Sequence, residues 1–177
     1  MRILKRVIIV FVGLFAVLFI GAYFLPSTIV VSREITISAS PDKIFSHMND
    51  LKKFQQWSPW AALDPDLKIE FSGPLRGVGQ KSTWQSKNPS VGSGHQEITA
   101  SILNKHVSTK LDFGEMGNAT TTWDLIKQGQ GTKVIWSFKT VLDDNPLMRW
   151  MGLMFDRMIG SDYEAGLVKL KRLVEAQ

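Results

Sequence analysis

The sequence predicts an α+β protein: one N-terminal membrane helix, followed by a curved seven-stranded antiparallel sheet wrapped on a long C-terminal helix. Three observations carry that expectation. An uncharged apolar run extends from Val7 to Leu25, apolar and polar residues alternate in seven segments between Thr28 and Phe138, and the period becomes helical after Pro146.

The N-terminal run follows a basic flank of Arg2, Lys5 and Arg6. Its 19 residues, as a helix, span about 28 Å, close to the hydrocarbon thickness of a bilayer. Pro26 stops the helix, and Tyr23 stands where an interfacial aromatic is expected. A cleaved signal peptide is the competing reading. It fits less well, because the run is long and Ala22-Tyr23-Phe24-Leu25 places bulky groups where a cleavage site needs small ones. The flank predicts a cytoplasmic N-terminus, with the rest of the chain on the periplasmic or extracellular side of a cell (inner) membrane.

Ile29, Val31, Ile35 and Ile37 share one face of the first predicted strand. Ser40-Pro41-Asp42 then reads as a helix start, leading into short helices over 43–48 and 50–56 and a Trp57-Ser58-Pro59-Trp60 loop. Six further strands follow. Their inward residues include Ile69 and Phe71, then Gln80, Ser82 and Trp84, then Ile98, Ala100 and Ile102. Val107 to Phe113, Thr121 to Leu125, and Val134, Trp136 and Phe138 complete the set. Short Gly- or Pro-containing links make this one antiparallel sheet. From Pro146, Leu147, Met148, Met151, Met154, Phe155, Met158 and Ile159 form an apolar stripe that can cover the sheet.

Composition narrows the function classes. The 177 residues include no cysteine, which removes disulfides, thiolate metal sites and cysteine nucleophiles. Of the formal net charge of +5, three belong to the membrane flank. The remainder, 18 basic against 16 acidic side chains, is near neutral and carries no nucleic-acid footprint. His47, His95 and His106 lack zinc spacing, so no metal is expected. Gly77-Val78-Gly79-Gln80-Lys81-Ser82 has Gln80 where a phosphate-binding loop needs glycine, and its glycines are read as relieving strain at a strand start. Ser93-Gly94-His95 lacks a nucleophile elbow.

Several segments together resemble the START-like (SRPBCC) superfamily with its helix-grip fold, and within it the polyketide cyclase/dehydrase-like branch that carries an N-terminal anchor. They are Ala39-Ser40-Pro41-Asp42-Lys43-Ile44-Phe45, the stretch from Leu51 to Trp60, Gly77-Val78-Gly79 with Trp84, Gly92-Ser93-Gly94, Gly131 to Trp136, and Gly166-Leu167 through Glu175. The resemblance covers residues 30–176 and implies a deep apolar cavity between sheet and C-terminal helix. It implies two parts: a flank and anchor over 1–26, and a ligand-binding domain over 27–177.

With such a cavity, Trp84, Trp123, Trp136 and Phe138 are expected as apolar lining or as plain core, and Gln80 and Ser82 as polar anchors. Trp57 and Trp60 are expected at the mouth, and Met151, Met154 and Met158 as a pliable helical wall or simple packing. Asp162 falls inside the apolar stripe, either paired with Arg33 or facing the cavity as a head-group anchor or base.

The expected function is membrane-anchored binding, transport or sequestration of a hydrophobic small molecule or lipid, without a cofactor. The alternatives are a cyclase or dehydratase acting on an apolar ketide-like substrate, with Asp162 as the sole catalytic candidate, and an envelope interaction module with a closed core. No acid–base pair is visible, which favours binding over catalysis.

Overall fold

The computed structural model describes residues 2–142 and 145–176. Helix α1 (Arg2–Ala22) is followed by strand β1 (Thr28–Ile37) and the short helices α2 (Pro41–Met48) and α3 (Leu51–Phe54). Six strands come next: β2 (Lys68–Ser72), β3 (Lys81–Gln85), β4 (Ser93–Ile102), β5 (His106–Asp112), β6 (Asn118–Gln128) and β7 (Gly131–Val141). Helices α4 (Pro146–Gly152) and α5 (Phe155–Glu175) close the chain. The strands form one antiparallel sheet in the order β1-β7-β6-β5-β4-β3-β2.

Alternation dictates which face each strand buries. Thr132, Val134, Trp136 and Phe138 of β7 are buried, as are Ala119, Thr121, Trp123 and Leu125 of β6. Tyr163, Leu167, Leu170 and Val174 of α5, three or four residues apart, pack into that face. Burying a Leu such as Leu167 or Leu170 contributes about 1.5–3 kcal/mol.

Two sequence expectations change in detail. Ile102 is exposed rather than inward, because a β-bulge between Ile98 and Ala100 shifts the register and moves the end of β4 off the buried face. The C-terminal stripe is not one helix. At Leu153–Met154 the chain turns, since Gly152 packs so closely on Leu142 and Ile29 that a Cβ there would lie 2.8 Å from the Leu142 side chain. Consequently Leu147, Met151, Met154 and Met158 are exposed, and it is Met148, Phe155 and Ile159 that turn inward.

The helix start is as read, with Pro41 in its first turn, but the Ser40 side chain does not cap the backbone. It hydrogen-bonds the Asp42 carboxylate, which holds that group below its ordinary pKa. Gly77 and Gly79 have φ of 79° and 88°, a backbone that glycine adopts without strain, so this run is a turn into β3.

Helix α1 is long and apolar enough over Ile3–Ala22 to cross a membrane. It ends three residues before the position read from sequence, in a turn over 23–25 ahead of Pro26. Its C-terminal end packs on α4: the Trp150 indole N–H donates to the Leu18 carbonyl at 3.1 Å, and the Arg149 guanidinium lies 5.5 Å from the centre of the Tyr23 ring.

Candidate functional site

A cleft of about 1350 Å³ lies between the sheet and the C-terminal helices. Its deep end is aromatic. Trp123 and Trp136 project from neighbouring strands at 5.7 Å between ring centres, and Tyr163 of α5 stacks on Trp136 at 3.8 Å and 13°. Trp60 meets Trp136 edge-on at 6.2 Å, and Phe54, at the end of α3, packs against Trp123 and Trp136 at 5.6 and 5.9 Å. Such pairs add about 0.5–1.5 kcal/mol each beyond their buried area.

The close approach of α5 depends on Gly166. A Cβ at that position would stand 2.7 Å from the Trp136 ring and 3.2 Å from Pro59. Near the other end, Trp84 meets Phe113 at 5.9 Å, and Gly94 leaves the space its ring occupies.

The buried polar groups on the cleft wall are Ser58, Ser82, Gln96 and Thr121. The Thr121 hydroxyl accepts from the Trp136 indole N–H at 2.8 Å and is 3.3 Å from the Tyr163 hydroxyl. Gln96 donates to Thr109 at 3.0 Å. Burial pushes the Tyr163 hydroxyl pKa well above its ordinary value, so it remains a protonated donor across the neutral range. The Trp123 indole N–H is buried with no hydrogen-bond partner among the described residues.

Of the side chains singled out from sequence, Trp60, Ser82, Trp84, Trp123, Trp136, Phe138, Met151 and Met158 all border this cleft. Three stand elsewhere. Trp57 is fully buried beneath the aromatic cluster, where its indole N–H donates to the His47 carbonyl at 3.3 Å, so it forms no part of a mouth. Gln80 is committed to the scaffold: its amide accepts from the Leu51 N–H at 2.8 Å and donates to the Leu75 carbonyl at 2.7 Å. Met154 is exposed at the junction between α4 and α5.

Asp162 neither pairs with Arg33 nor borders the cleft; it accepts the Trp60 indole N–H at 3.2 Å. It holds the Trp60 indole in place. Tyr163 and Gln96 were missed among the site residues. Gln96 was legible, since it shares the alternation of Ile98, whereas Tyr163 needed the true pitch of α5.

Arg33 takes Asp156 at 2.9 Å and Glu164 at 2.6 Å, successive acids on one side of α5, across the gap that Gly160 provides. These contacts raise the guanidinium pKa, and the Arg33 hydrogen bond holds Asp156 below the usual carboxylate range. A carboxylate depressed in the folded state stabilises it above the unfolded pKa and loses that contribution as pH falls through the depressed value. We therefore expect Asp156→Asn to lower stability near neutral pH, and the difference from wild type to vanish on the acid side. Urea titrations at stepped pH measure this; a difference that persists unchanged into acid overturns it.

Together, the sheet gripping an α-helix and the aromatic cleft between them define a helix-grip architecture. The chain belongs to the family described as polyketide cyclase / dehydrase and lipid transport, whose model matches residues 28–175. Solved structures share the fold at low identity. An uncharacterized protein from Rhizobium leguminosarum has 15% identity and a TM-score of 0.62, covering 85% of this chain and 96% of its own. Truncated norcoclaurine synthase from Thalictrum flavum has 14% identity and a TM-score of 0.62, covering 83% and 93%. Ara h 8.0201 has 15% identity and a TM-score of 0.56, covering 85% and 99%. At these identities the likeness is one of fold. No curated protein sequence matches the chain.

Proposed function

We propose that the protein is a membrane-anchored binder of a hydrophobic small molecule or lipid, held in the cleft between the sheet and α5. The observation that carries this reading is the cleft itself. At about 1350 Å³ it exceeds the volume a drug-sized ligand needs, and aromatic side chains wall it with a few buried polar groups among them. A closed interaction module would fill that space with side chains.

In this reading, residues 1–26 are flank and anchor and 27–177 the binding domain. The basic flank supports a cytoplasmic N-terminus with the domain outside. Tethering raises the effective concentration of bilayer-resident ligands at the cleft. A ligand lies in the cleft against Trp84, with Trp123, Trp136 and Phe138 packed behind that surface and Ser82, Gln96 and Thr121 the buried polar groups nearest to it. Asp162, the one acid–base candidate of the cyclase or dehydratase alternative, is engaged by the Trp60 indole N–H, which supports binding over catalysis.

Native mass spectrometry of the protein extracted gently from its own membrane tests the binding reading. An added mass of a lipid or other apolar molecule is expected, and only empty protein would count against it. A reporter fused to the C-terminus tests orientation, and activity confined to the cytoplasm would reverse the topology.

A further inference from the structure

The pairing brings one set of strand ends and loops together at a single end of the sheet, and many of the cleft's lining residues lie there. Thr28 pairs with Val141, Asn118 with Asp112, Asp112 with His95, and Ser93 with Gln85. These residues mark a single end, with the loops 86–92 and 113–117 and the residues Leu142 and Asn145 beside it. It is also the end joined to α1, because only the five residues 23–27 separate Ala22 from Thr28 and the Leu142 N–H donates to the Ser27 carbonyl at 2.7 Å. Val91, Phe113, Met116, Asn145, Met148 and Met151, which border the cleft, all lie at this end or on α4.

The same rim exposes large apolar side chains to an unusual degree. Met116 is 69% exposed, Leu147 66% and Leu153 57%, and Val141, at the same end of β7, is 67% exposed. Large apolar side chains exposed together at one end of the fold are costly in water and point to an interaction surface. What covers it follows from continuity. Helix α4, which carries Leu147, is bound to the last turns of the candidate span through the Trp150–Leu18 hydrogen bond and the Arg149–Tyr23 contact. A rim fixed to the end of a membrane-spanning helix sits at the level of the lipid head groups. Glu115 shares the 113–117 loop, so apolar burial rather than a uniform positive charge holds the rim there.

We propose that the cleft opens directly onto the bilayer. The rim of α4 and the 113–117 loop rests in the interfacial layer beside α1, and the ligand is a bilayer-resident amphiphile that enters from that leaflet without crossing water. This rests on reading α1 as a membrane span and the cleft as a binding site.

The full chain contains no cysteine, so each of Met116→Cys, Leu147→Cys and Gln130→Cys presents a single thiol for an environment-sensitive fluorophore. Gln130 is an exposed turn residue at the opposite end of the sheet. In phosphatidylcholine vesicles containing brominated acyl chains, we expect probes at 116 and 147 to be blue-shifted and quenched by about half, and the probe at 130 to remain in water. Water-like emission at all three positions overturns the portal.

Native mass spectrometry of the same vesicle preparations separates the two readings. A bound phosphatidylcholine mass with unquenched rim probes overturns the portal and leaves the binding reading standing. Quenched rim probes with empty protein leave the docked rim and overturn lipid entry. Quenched rim probes with a bound phosphatidylcholine mass support both.

Discussion

Trp136→Ala is expected to lower the unfolding free energy by about 3–5 kcal/mol, the range for deleting a large aromatic side chain from a core. The indole touches Trp57, Trp60, Trp123 and Tyr163 and is essentially inaccessible to solvent. Its loss leaves a cavity that the sheet cannot collapse into, because β7 is paired on both sides, with β1 and β6. The Thr121 hydroxyl would also lose the indole N–H as a donor. Chemical denaturation of the full chain in detergent measures the change. A loss below about 1 kcal/mol would show that the cluster is loosely packed and that the wall of the cleft is not built on it.

Gly166→Ala gives the second large effect, and two terms of opposite sign decide it. In an open helix the change gains about 1 kcal/mol of helix propensity. Here the new Cβ lies 2.7 Å from the Trp136 ring and 3.2 Å from Pro59. Neither neighbour is a flexible side-chain end, since the indole is stacked on Tyr163 and Pro59 is buried. Overpacking of this kind costs about 1–3 kcal/mol, occasionally more. We expect net destabilisation, with α5 pushed outward and the aromatic stack disturbed. Trp136→Phe removes the ring atoms that the Cβ would strike, so the double variant should be less destabilised than the sum of the two singles. Strict additivity in that cycle would mean that Gly166 and Trp136 do not compete for space.

The two predictions concern the contact that sequence reading left least defined. Alternation identified Trp123, Trp136 and Phe138 as inward residues of neighbouring strands, because a strand's period of two leaves one face to bury. By the same parity Gln96 belongs with Ile98. Helical spacing marked the C-terminal segment as the element that covers the sheet, and the uncharged run before Pro26 marked a span, since both signals depend only on the order of residues along the chain.

Position across space was another matter. The bulge between Ile98 and Ala100 has no sequence mark, yet it turned Ile102 out to solvent. The break at Leu153–Met154 arises from Gly152 seating on Ile29 and Leu142, residues more than a hundred and about ten positions away. Trp57 and Gln80 carried the right chemistry for a ligand site, but packing buried one beneath the cluster and hydrogen bonds to Leu51 and Leu75 committed the other to the scaffold. Asp162 faces Trp60 and not Arg33, because Arg33 reaches α5 where Asp156 and Glu164 already present two carboxylates.

Residue order therefore settles the strands, most of their buried faces and the membrane-length helix, since period and length are local properties of the chain. Which inward side chains border open space, and which end of the sheet adjoins α1, depend on contacts between distant segments. Only the packing of α5 on β7 and of α4 on α1 decided them, because an inward side chain is core or wall according to what stands opposite it.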